Sequence, residues 1–127
     1  MHVLYEDDGG FKAATILSET DASLQVEAAS GKRSKIKKSA IIVRFEQPDP
    51  ESLLKQAEEA SKELDVQFLW ECAPQEEFEI PALAEEYYGH PPAPVEQAAM
   101  LLRVHSAPVY FHRRGKGKYR PAPPDIL

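Results

Sequence analysis

Cysteine is nearly absent from this sequence: Cys72 stands alone in 127 residues. One thiol excludes an internal disulfide framework and suits a reducing compartment, so a cytoplasmic location is expected. Long apolar runs are missing as well. No stretch approaches the ~20 residues needed to cross a bilayer. The opening MHVLYEDDGG has neither the basic start nor the apolar centre of a signal peptide. No membrane partner is expected. Metal-site spacing is lacking too, since His90, His105 and His112 have no cysteine partners and no zinc-like intervals. His105 and Ser106 are merely adjacent, which does not make a catalytic triad.

Basic residues are scarce in one region only. Residues 48–102 hold Lys55 and Lys62 against thirteen acids, a balance of −11. Residues 1–47 carry seven bases and seven acids. Residues 103–127 carry six bases against Asp125, a balance of +5. The formal net charge of −6 therefore conceals two locally basic ribbons around an acidic middle. With 43% hydrophobic and 28% charged residues the chain is globular, one domain or two small modules.

The first 47 residues read as five short strands. Val3-Leu4-Tyr5 leads into the turn cluster Glu6-Asp7-Asp8-Gly9-Gly10, a hairpin signal. A strand from Phe11 to Leu17 follows, and then Ser23 to Ala28, where apolar and polar residues alternate. Ala29-Ser30-Gly31 turns the chain into the basic strand Lys32 to Lys37, and Ala40 to Phe45 completes the set. An open five-stranded sheet of this size leaves two edges exposed. Closure into a small SH3-like β-barrel over residues 1–47 is expected.

Gln47-Pro48-Asp49-Pro50 marks the boundary, with Asp49 as a helix cap and Pro50 at the first helical position. Leu53, Leu54, Ala57, Ala60, Ser61 and Leu64 then form an apolar stripe at helical spacing. Helices are also expected over 68–72, over 80–88 with Gly89 as the stop, and over 95–105. Val109 to Arg113 and Lys118 to Arg120 are strands around the turn Arg114-Gly115-Lys116-Gly117. Two short helices followed at once by a basic hairpin follow the order of a winged helix-turn-helix. Residues 48–127 are thus expected to be a winged-helix module, and the fold class α+β. Cys72 and Trp70 are expected in its core.

Four segments also carry a family resemblance: LQVEAASGKRSKIK, FLWE, LAEEYYG and LLRVHSAPVYFHRRGKGKYRPAP. Together they resemble the N-terminal region of bacterial ribonuclease II-type (RNB-domain) 3′–5′ exoribonucleases. The resemblance implies a β-barrel and a winged-helix module placed before a catalytic domain. It implies a full-length enzyme that degrades single-stranded RNA with magnesium, held by clustered aspartates. Asp7-Asp8, Asp49, Asp65 and Asp125 are scattered, so no catalytic or metal-binding residue carries over. The expectation is an accessory fragment without a cofactor of its own, cut before the catalytic domain just as Asp125-Ile126-Leu127 begins a helix. Its partners are then single-stranded RNA and the protein's own catalytic domain.

Two groups are candidates for RNA contact. In the hairpin these are Arg113, Arg114, Lys116, Lys118 and Arg120; in the fourth strand, Lys32, Arg33, Lys35 and Lys37. Each has a plainer reading. Hairpin bases can be a solvated face, and edge lysines guard a sheet against edge-to-edge pairing. Tyr110, Phe111 and Tyr119 are expected to pack on the helices rather than to stack on bases. The last helix presents Glu96, Gln97, Met100 and Arg103, a poor reader of a DNA groove. The alternative function is a protein-interaction or domain-docking module, whose acidic helices match a basic surface.

Overall fold

The computed structural model describes residues 1–125. The helix start expected at Asp125-Ile126-Leu127 falls partly on Ile126 and Leu127, outside the described residues. The fold is mixed α+β and divides into two compact units, Met1–Lys55 and a second beginning at Gln56.

The first unit is an antiparallel sheet of β1 (His2–Asp7), β2 (Gly10–Glu19), β3 (Ser23–Glu27), β4 (Arg33–Lys37) and β5 (Ile41–Phe45). The β1–β2 turn is built on Asp8 and Gly9, both at positive φ (54° and 78°), with Asp7 paired to Gly10. That is the primed two-residue turn that matches strand twist, and Asp-Gly is among its preferred sequences. One face buries Val3, Tyr5, Ala14, Leu24, Val26 and Ala40. β1 buries residues on both faces, because Leu4 is covered as fully as Val3.

The strand order is β4-β3-β2-β1-β5. Among the described residues β4 and β5 do not pair with each other, so the closed barrel expected from sequence is found as an open sheet. The reason is local. A single 3-10 turn, Lys38–Ala40, separates β4 from β5, and β5 spends its hydrogen bonds on β1.

α1 (Pro50–Ser61) begins where expected, with Asp49 accepting the Ser52 N–H at 3.1 Å. The division between the units falls within this helix. In the second unit, Asp65 caps α2 (Val66–Cys72) by accepting the Phe68 N–H. α3 (Ile80–Tyr88) ends on Gly89 at φ 78°, the left-handed stop that glycine adopts without strain. α4 (Pro94–His105) is covered throughout: each of its residues is buried or half-buried. Met100, expected on its open face, is fully buried. A three-stranded sheet in the order β6-β8-β7 completes the unit, from β6 (Phe78–Glu79), β7 (Phe111–Gly115) and β8 (Lys118–Pro121).

Phe111 and Tyr119 are core residues, as strand alternation predicts. Trp70 is half-buried, and its indole N–H donates to the Ala122 carbonyl at 2.9 Å. Cys72 is half-buried rather than core, because the face of α2 that carries it is not covered. Among the described residues no helix is long and apolar enough to cross a membrane.

Candidate nucleic-acid interface

The two candidate groups lie on different sheets and differ in what surrounds them. On β4, Arg33, Lys35 and Lys37 share the exposed face, while Ser34 and Ile36 turn half-buried to the other side. Two residues per repeat at about 3.4 Å rise sets these charges about 7 Å apart along the strand. Lys32 lies exposed in the preceding loop. Arg33 is not idle: its register partner Glu27 accepts a hydrogen bond from Nε at 2.9 Å. Lys35 and Lys37 oppose Gln25 and Ser23 instead. Among the described residues, Lys32, Lys35 and Lys37 make no ion pair.

A carboxylate clamp sits elsewhere in the same unit. Glu19 accepts two hydrogen bonds from Arg44, at 2.9 and 3.1 Å, and pairs with Lys38 at 2.8 Å. The Arg44 hydrogen bond first, and Lys38 second, lower its pKa from 4.5 to about 2. Lys38 and Arg44 are thereby neutralised, and neither belongs to an open basic row.

On the hairpin, β8 alternates cleanly. Tyr119 and Pro121 are buried, while Lys118 and Arg120 face solvent. His112 stands opposite Arg120 in register and is exposed as well. The buried face is fixed by specific contacts. The Tyr119 hydroxyl and His105 Nδ1 share a hydrogen bond of 2.8 Å, and Phe78 packs edge-on against Phe111. Lys116 and Gly117 form the turn, Gly117 at φ 72°. Arg114 lies 3.9 Å from Glu77, a loose and solvated pair. Arg113 falls in register with Tyr119 yet stays exposed. Among the described residues, Lys116, Lys118 and Arg120 make no ion pair. Arg103 is different: its Nε donates to the Leu64 carbonyl at 2.8 Å, which is a structural duty.

Sequence reasoning missed β6, Glu77 beside Arg114, and a concavity of the first unit. That concavity, about 570 Å³, is bordered by Tyr5, Phe11, Lys12, Ala28, Pro50 and Leu54 among others. Its one base, Lys12, is held by Asp7 at 2.8 Å.

Three of the aspartates have structural partners. Asp7 holds Lys12, and Asp49 and Asp65 cap helices. Among the described residues no three His, Cys, Asp or Glu side chains gather as a metal site would need. The chain also presents the exposed cations described above. Set against known proteins, it matches no family model, no curated protein and no solved structure.

Proposed function

We propose that this chain is the accessory N-terminal RNA-binding region of a ribonuclease II-type 3′–5′ exoribonuclease, acting in the cytoplasm. It guides single-stranded RNA toward a magnesium-dependent catalytic domain that this chain does not include, and is itself inert. The carrying observation is the pair Lys118 and Arg120, exposed and, among the described residues, without ion pairs on the middle strand of their sheet. At Lys118 the strand is paired on both sides, with Glu79 of β6 and Gly115 of β7, so edge protection does not account for that base; Arg120 pairs with β7 alone. In this reading the two bases contact phosphates.

The finer fold reading belongs to the same proposal. The long β2 and the irregular registers of β1·β5 and β2·β3 support a sheet curled in the manner of an SH3-like barrel. The order α2-β6-α3-α4-β7-β8 supports a winged helix, with the β7–β8 hairpin as its wing. α4, covered along its length, is unsuited to enter a groove, so contact is led by the wing.

Anisotropy of a fluorescent oligoadenylate at about 50 and about 200 mM salt tests the reading. Binding that weakens steeply with salt, with no nucleotide released in magnesium, is the expected result. No binding at the lower salt, or digestion of the RNA, contradicts it.

A further inference from the structure

A surface of the opposite character lies on α2 and α3. Residues 63–102 contain no lysine or arginine and nine acids. Glu71, Glu76, Glu77, Glu79, Glu85 and Glu86 are all exposed. A groove of about 310 Å³ opens in the same unit, lined by Cys72, Pro74, Ala82, Leu83 and Glu86, with Glu71 next to Cys72 in the chain. Phe68 stands one helical turn before Cys72, on the same side of α2, and is 50% exposed. Tyr87 of α3 meets its ring edge-on, with centroids 6.0 Å apart. An apolar groove with a carboxylate in its lining and a half-exposed aromatic one helical turn away has the character of a protein-docking surface.

We propose that this groove docks a basic amphipathic helix, whose apolar side chains enter beside Phe68 and Cys72 while its lysines or arginines meet Glu71 and Glu86. Charge complementarity selects this occupant. A segment with a −11 balance repels nucleic acid and acidic proteins alike, and an uncharged helix would cover the carboxylates without compensating them. Helix-in-groove recognition needs an apolar trough between two elements, and α2 and α3 pack together to form one. The proposal stands apart from the RNA reading, since none of its residues belongs to the basic rows.

Cys72, the only thiol in the sequence, serves as the reporter. The probe is a synthetic peptide of leucine and lysine with all leucines on one helical face, compared with a scrambled peptide of identical composition. Calorimetry on the whole chain is expected to show at least tenfold tighter binding of the amphipathic peptide. Saturation with it is expected to slow alkylation of Cys72 by iodoacetamide at least threefold. Phe68→Ser and, independently, Glu86→Lys are each expected to weaken binding about tenfold, whereas Glu58→Lys with Glu59→Lys on α1 changes it less than twofold. Melting curves establish that each variant is folded, and Glu86→Lys decides the matter if Phe68→Ser is not. Equal affinity for both peptides, an equal effect of the α1 reversal, or unprotected Cys72 in the complex overturns the proposal. So does protection of Cys72 by single-stranded RNA, or a dimer of the free chain that Phe68→Ser dissolves, because each assigns the groove to another occupant.

Discussion

β4 and β8 carry similar rows of bases at alternate positions, yet they sit in opposite places. β4 is the edge of a five-stranded sheet, and one of its bases, Arg33, is tied to Glu27. β8 is flanked on both sides by β6 and β7, and Lys118 and Arg120 have no ion pairs among the described residues. An edge strand has a structural use for lysine, which blocks pairing with another chain. At Lys118, where β8 is paired on both sides, that use does not arise. Similar composition therefore supports binding in one place and is accounted for by self-protection in the other.

The contrast is sharpest between the two faces of β8 itself. Tyr119→Ala removes a buried ring and its bond to His105, and is expected to cost about 3–5 kcal/mol of stability by chemical denaturation. Replacing Lys116, Lys118 and Arg120 together with alanine is expected to leave the melting temperature nearly unchanged, since exposed charges add little to folding. The same triple change should weaken single-stranded RNA binding by roughly 1–3 kcal/mol, the order expected when a few phosphates are no longer neutralised. A large loss of stability with RNA affinity preserved would make the hairpin structural.

The edge row should respond differently. Lys32, Lys35 and Lys37 changed to serine are expected to weaken RNA binding less than the hairpin variant does. They should also raise the tendency to self-associate, read by light scattering, because the β4 edge loses its guards. A larger RNA effect than that of the hairpin variant would reverse the ranking of the two rows.

The smallest effect concerns Glu19. Its pKa is depressed in the folded chain, so its contribution to stability is present above 4.5 and lost as pH falls toward 2. Glu19→Gln should therefore be less stable than the parent at neutral pH, with the gap closing across that window in thermal melts. A constant gap would mean that the clamp on Lys38 and Arg44 is not linked to folding.

What sequence could reveal follows the range of the interactions. Asp49 with Pro50, and Gly89 after Tyr88, are signals written within one helical turn, and both helix ends fall where those residues place them. Asp8-Gly9 likewise locates the first hairpin. β6 is only two residues long and exists because Phe78 and Glu79 pair with Tyr119 and Lys118, some forty positions away. No local pattern announces that. Sheet closure was misjudged for a related reason: the inference from exposed edges ignored that a basic edge tolerates exposure. Cys72 was misplaced because Phe68-Leu69-Trp70 is continuously apolar, and such a run does not tell which side of a short helix faces inward. Leu69 alone of the three is fully covered. The hairpin bases were legible from composition. That Arg33 and Arg114 have acidic partners, and that Lys118 stands opposite Glu79 in register yet makes no ion pair among the described residues, required the three-dimensional register.

The most direct test of the central claim is the salt dependence of single-stranded RNA binding by the parent chain and by the Lys116, Lys118 and Arg120 triple alanine variant. Each phosphate neutralised on a single strand contributes about 0.7 to the slope of log affinity against log salt. Removing three bases should therefore flatten that slope by about 2. Parallel slopes with equal affinities would contradict the account, because the hairpin would then release no counterions and touch no phosphates.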